Sequence, residues 1–161
     1  EGYCSAYFHC IGVETVVLRF GNVYGEGSSK KESVVARFIK QAMAGETLEV
    51  YGDGSQTRDF IYLGDLVQAV FLAGSKPGIG GETFQIATNR ETTVGEVTEK
   101  LVDVMYEVAG FRASWFNGET RQGDVARNYS DTRKAREILG WSAQTELNDG
   151  LRKTVEFFIN K

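Results

Sequence analysis

A zinc site is the first functional feature that the sequence excludes. It holds one histidine, His9, and two cysteines, Cys4 and Cys10. The cysteines are too far apart to share one helix face, and no second pair completes a zinc pattern. A nucleophile built from His9 with either cysteine has no third group to orient the imidazole. So little cysteine suits a reduced, cytoplasmic protein. No apolar run approaches the roughly 20 residues of a membrane helix, and the first residues do not read as a signal peptide. No long basic run is present, and the formal net charge is −4, so a nucleic-acid groove is not expected. The first residue is Glu1 rather than Met, which reads as a chain that does not start at a natural beginning.

What is there is an ordinary globular composition. The 161 residues are 42% hydrophobic and 25% charged, which suits one domain. Glu1 to Gly12 reads as the end of a helix, with Tyr3, Tyr7 and Phe8 at helical spacing and Gly12 as its stop. Thr15 to Phe20 is nearly continuously apolar and β-branched, which predicts a strand buried on both faces in a parallel sheet. Gly21 to Gly25 reads as a tight turn, and Glu26 to Lys31 as a flexible polar loop. Ser29 and Glu32 offer a capping box for a helix carrying Val34, Val35, Phe38, Ile39, Ala42 and Met43 on one side, ended by Gly45.

Leu48 to Tyr51 alternates as a half-exposed strand does, and Phe60 to Leu63 is a short strand. Asp65 is expected to cap the next helix, to about Ala73. Thr83 to Ala87 is another strand. Thr93 and Glu96 form a second capping box, for a helix buried through Val94, Val97, Leu101, Val104 and Val108. Trp115-Phe116 is a short strand, 118 to 129 a polar loop, and Asp131 the cap of a helix ending at Gly140. Thr145 opens a last helix striped by Leu147, Leu151, Val155 and Phe158. The alternation argues α/β, with an α+β character in the middle and at the end. The two apolar strands cannot make a whole parallel sheet, so the sheet is expected to be incomplete.

Three motifs occur in order: Leu18-Arg-Phe-Gly-Asn-Val-Tyr-Gly25, Val50-Tyr-Gly-Asp-Gly-Ser-Gln-Thr-Arg-Asp-Phe60, and Arg121-Gln-Gly-Asp124 followed by Ser130-Asp-Thr-Arg-Lys-Ala135 and Leu139-Gly-Trp141. Together they resemble the C-terminal half of the extended short-chain dehydrogenases/reductases. These are NAD-dependent nucleotide-sugar epimerases and dehydratases, of which UDP-glucose 4-epimerase-like members are the most similar. The resemblance covers essentially the whole chain. It implies that residues 1–161 are the C-terminal, substrate-binding portion of a Rossmann-type fold, with a small substrate-binding subdomain. It also implies an N-terminal portion carrying a glycine-rich NAD loop and a Tyr-x-x-x-Lys pair. Neither motif occurs in this sequence: Tyr3 is followed four residues on by Tyr7, and Tyr7 by Ile11.

The resemblance implies roles for particular residues. Arg58 and Arg121 clamp the diphosphate of a UDP- or dTDP-hexose; planar guanidiniums meet phosphate oxygens two bonds at a time. On composition alone the same arginines would be surface partners of Asp59 and Asp124. Asn22, just beyond a buried strand, sits where open α/β folds bind ligands; the plainer reading is a turn residue. Phe20 and Gly21 pass near the nicotinamide of NAD, although Phe20 could be core. Val35 covers the base while backbone groups of Glu49 and Tyr51 read its edge; Val35 is otherwise core. Asp124 accepts from ribose hydroxyls or fixes Arg121. Glu26 stands where many relatives have proline, and Asn128 and Tyr129 stand at an aromatic position of others, so the hexose end differs.

The activity implied is 4-epimerisation of UDP-glucose and UDP-galactose, with 4,6-dehydration or decarboxylation of a nucleotide sugar as alternatives. The chain alone, without the tyrosine and lysine, is expected to bind but not to turn over. The remaining alternative is a non-catalytic assembly module or homodimer, formed because open strand edges seek partners.

Overall fold

Short β-branched runs and helical stripes fold here into strand pairs covered by helices. The structure is a computed structural model, and it describes residues 1–160. Helix α1 (Gly2–Ile11) ends on Gly12, whose φ of 75° is left-handed. Strand β1 (Val17–Phe20) leads through Gly21 into β2 (Asn22–Tyr24), and a 3-10 turn precedes α2 (Val34–Met43). Next in the chain are β3 (Leu48–Tyr51), β4 (Thr57–Arg58), β5 (Phe60–Tyr62) and α3 (Leu63–Ser75). The chain continues through β6 (Thr83–Ile86), β7 (Thr92–Thr93), α4 (Val94–Ala109), β8 (Trp115–Gly118), a π-helical turn (Ala135–Leu139) and α5 (Leu147–Ile159). Among these described residues no helix is long and apolar enough to cross a membrane.

The strands pair as β1–β6, β2–β5 and β3–β8, all parallel, while β4–β7 is antiparallel. In register, Asn22 stands opposite Phe60 and Leu48 opposite Trp115. Two cores form. The first joins α2, α4, α5 and β3 around Phe38, Leu48, Leu101 and Leu151. The second joins α3 and β6 to Leu139 and Trp141 around Phe84 and Ile86. Trp141 is locked there by its indole N–H, which donates to the Asp65 carbonyl at 3.0 Å.

Several expectations give way to tertiary contacts. Strand β1 is parallel as expected but is not buried on both faces: Leu18 is half-buried, while Arg19 and Phe20 are exposed. It pairs with β6 alone, so its other edge has no neighbour among the described residues. The turn expected at Gly21 to Gly25 is largely strand β2, because β5 supplies a partner. Ser29 does not cap α2. The loop closes instead through the Ser28 hydroxyl, which donates to the Gly25 carbonyl at 2.6 Å, and Ser33 takes the N-cap position. Asp65 lies buried in the first turn of α3, where it accepts the Thr145 backbone N–H at 2.9 Å; Tyr62 occupies the cap position.

Asp131 accepts from the Arg133 N–H at 2.9 Å, but the element beyond it is the π-helical turn rather than a regular helix. Met43 is half-exposed. The second capping box behaves as expected: Thr93 Oγ1 accepts from the Glu96 N–H at 3.0 Å.

Candidate functional site

A cleft of about 210 Å³ opens between α2, β3 and the polar loop after β8. Six of the residues singled out in the sequence line it: Asn22, Val35, Tyr51, Arg58, Arg121 and Asp124. They come from β2, α2, β3, β4 and the 121–124 loop, so the parallel pairing and the packing of α2 on β3 bring them together.

Arg58 is held firmly. Its Nη1 donates to the carbonyls of Thr57 at 2.7 Å and Val125 at 2.5 Å, and its Nη2 pairs with the Asp124 carboxylate. Its side chain is only 15% exposed, so this pair is screened less than a surface one. Asp124 also accepts the N–H of Val125 at 3.0 Å. In this structure Asp124 therefore fixes Arg58, not Arg121. The Arg121 guanidinium has no hydrogen bond or ion pair among the described residues, and it lies exposed on the cleft wall.

Asp59 does not pair with Arg58. It is 1% exposed, and its carboxylate accepts four bonds: from Thr88 N–H at 2.7 Å, Thr88 Oγ1 at 2.6 Å, Asn89 N–H at 3.0 Å and Ser130 N–H at 3.3 Å. Its backbone carbonyl accepts the Asn22 N–H at 2.7 Å. That knot fixes both ends of the site, because it ties the start of β2 to the residue beside Arg58. The Asn22 carboxamide itself has no partner among the described residues and borders the cleft.

Val35 serves twice, packing into the first core at 1% exposure and flooring the cleft. Tyr51 presents its ring, while its carbonyl accepts from Gln56 Nε2 at 2.9 Å. Glu49 does not line the cleft: its side chain lies against Gly118 and its carbonyl accepts from Arg37 Nη2 at 3.3 Å. Phe20 and Gly21 stand off the cleft wall. Phe20 is 50% exposed at the C-terminal end of β1, so it is not core. Gly21 is glycine for an internal reason: a Cβ there would come within 2.8 Å of the Asp59 carbonyl oxygen.

Arg37, Ser33, Gln56 and Phe60 were not singled out in the sequence, yet they line the cleft. Arg37 stands on α2 between Ala36 and Phe38, which are both fully buried. Tyr24 lines the cleft too; burial, with the Asp65 carboxylate adding to it, pushes its phenol well above the ordinary value. At the positions where the sequence departs from the family pattern, Glu26 accepts from the Tyr62 hydroxyl at 2.5 Å, and Tyr129 is half-exposed beside Arg127.

The chain is similar in sequence and in fold to known proteins. The UDP-glucose 4-epimerase of Mycolicibacterium smegmatis is 36% identical over 163 residues, covering 100% of this chain and 50% of that protein. The UDP-glucuronic acid decarboxylase 1 of Danio rerio is 37% identical over 160 residues, covering 98% of this chain and 37% of that protein. The crystal structure of a Thermotoga maritima UDP-glucose 4-epimerase with UDP-glucose superposes with a TM-score of 0.87 at 34% identity, over 99% of this chain and 50% of that one. The chain thus spans between 37% and 50% of the length of these relatives. The NAD dependent epimerase/dehydratase family profile matches residues 1–87, more than half of the sequence, and the chain belongs to that family.

Proposed function

We propose that the cleft holds the nucleoside diphosphate of a nucleotide sugar, and that the chain is the substrate-binding portion of an NAD-dependent UDP-sugar 4-epimerase of the UDP-glucose/UDP-galactose type. The observation that carries this reading is the meeting of Arg58 and Arg121 on one cleft with the open carboxamide of Asn22. Arg58 is aimed in advance by Asp124 and two carbonyls, so binding need not order it. Arg121 is exposed and unengaged among the described residues, so a diphosphate oxygen meets a donor that loses no internal bond. Asn22 can donate to a phosphate oxygen or accept from a sugar hydroxyl. Val35 and Tyr51 supply an apolar wall for the base, with Asp124 near the ribose.

NAD, when bound to the complete protein, supplies hydride chemistry. Phe20, exposed beyond the end of β1, and Gly21 suit a marginal contact with its nicotinamide. The sequence has no Tyr-x-x-x-Lys pair, so general base and cofactor anchor fall to an N-terminal partner portion. The chain's own task is to bind, to orient and to hold the sugar end still. A cytoplasmic setting and a homodimer through α1 complete the reading; Tyr3, Tyr7 and Ile11 on α1 are exposed at 84%, 49% and 66%.

Calorimetry of the 161-residue chain with UDP tests the clamp. Binding is expected, weakened roughly tenfold or more in Arg58→Ala, as for loss of a charged hydrogen bond; absence of binding removes the proposal. The complete protein should convert UDP-glucose to UDP-galactose. Accumulation of a 4-keto-6-deoxy sugar would assign a dehydratase instead, and carbon dioxide from UDP-glucuronate a decarboxylase.

A further inference from the structure

One charged residue of the cleft wall, Arg37, has no place in the diphosphate clamp. It rises from α2 between fully buried neighbours and lies over aromatic faces, its Cζ 5.0 Å from the Tyr51 ring centroid and 5.1 Å from that of Phe38. Its pairing is poor. Nη1 donates to the Tyr51 hydroxyl at 3.2 Å and Nη2 to the Glu49 carbonyl at 3.3 Å, the long end of hydrogen-bond geometry. Nε is buried without a partner. No carboxylate pairs with it among the described residues, and Glu32, on the same wall, is committed to Lys40 at 2.6 Å. A guanidinium offers five donors and no acceptor, so Arg37 is under-used as it stands.

Its surroundings say what would use it. Val35, Phe38 and Tyr51 make this wall apolar and flat-sided, while Arg58 and Arg121 take the anionic part of a ligand. A nucleotide anchored by its diphosphate therefore leaves its ring beside α2 and β3. We propose that Arg37 selects the base, donating from its guanidinium to a ring carbonyl oxygen and discriminating against a base that carries an amino group there. A donor-only head group facing an exocyclic amino group sets donor against donor. The inference rests on the nucleotide reading of the cleft and names one residue as the origin of its preference.

UDP and CDP differ at this edge of the ring: one carries a carbonyl at C4, the other an amino group. Calorimetric titration of the chain with each nucleotide is the test. The wild-type chain should bind UDP at least roughly tenfold more tightly than CDP, the discrimination expected of one charge-assisted bond. Arg37→Met keeps the length and the apolar stem but removes the donors, so it should weaken UDP while leaving CDP within about twofold. Arg37→Lys should keep part of the ratio, and it carries the test should the methionine variant not fold. Equal losses for both nucleotides, or an unchanged ratio, would overturn the role of Arg37 while leaving the nucleotide reading intact. Absence of UDP binding by the wild-type chain would overturn that reading, and this inference with it.

Discussion

The side of the molecule around α2, α4, α5 and β3 differs from the side built on α1, α3 and β1. On the first, Phe38, Leu48, Val50 and Leu101 are fully buried, and the cleft wall rests directly on them. On the second, Phe20, Val67 and Phe71 are exposed at 50%, 56% and 72%, and α1 buries no residue. The lesson concerns where rigidity is needed. The cleft residues of α2 and β3 stand on a closed core, whereas Arg121 and Asp124 reach the cleft from an exposed loop. Open apolar surface occurs on both sides, but only on the second does a whole helix, α1, bury nothing.

The largest expected contrast breaks or upholds that comparison. Phe38→Ala should cost about 3–5 kcal/mol in urea unfolding, the usual range for emptying an aromatic site, whereas Phe20→Ala on the open strand should change stability by no more than about 0.5 kcal/mol. Comparable costs would mean that the two sides are equally dependent on their packing. Next comes Asp59→Ala, which strands four donors and should cost about 2–3 kcal/mol by thermal unfolding. Because this carboxylate ties β5 to the 88–89 loop and to Ser130, its loss should also weaken UDP binding through Arg58 and Asn22. Thr93→Ala removes the side-chain cap of α4 and should cost about 1 kcal/mol, read by the same unfolding.

The smallest effect is a pH dependence at the exposed rim. Hydrogen bonds from Arg127 and then Thr57 lower the Glu91 carboxyl from 4.5 to about 2. A lowered folded value means stability that is present above 4.5 and lost as pH falls toward 2. Urea midpoints measured across that window should therefore fall less steeply in Glu91→Gln than in the wild-type chain; identical slopes would leave the bridge without energetic weight.

Helix α4 was legible because its code is local. Its apolar spacing and the Thr93 cap act within a few residues of one another. Strand β2 was not, because glycines at 21 and 25 read as a turn until β5 supplies hydrogen-bond partners. Ser29 and Asp65 show the same limit: each suits a cap by composition, yet the loop closes through Ser28 and a distant N–H at Thr145 claims Asp65. In the cleft, residues of the family motifs, Asn22, Tyr51, Arg58, Arg121 and Asp124, meet Val35, which lies outside them. Glu49 shares a face of β3 with Tyr51, yet only Tyr51 borders the cleft, because the Glu49 side chain folds against Gly118. Arg37 is not legible because a charge on an amphipathic helix reads as solvated, and Tyr51 is brought against it only by tertiary packing.

Gly21 carries a consequence for how the cleft can be damaged from outside it. The carbonyl oxygen that leaves no room for a side chain at this position is the one that receives the Asn22 N–H. A methyl group there would have to push that oxygen aside, and the carboxamide of Asn22 would swing with it. A residue that never touches the cleft thus sets the aim of one that borders it, so genetic lesions at position 21 would mimic lesions of the binding wall.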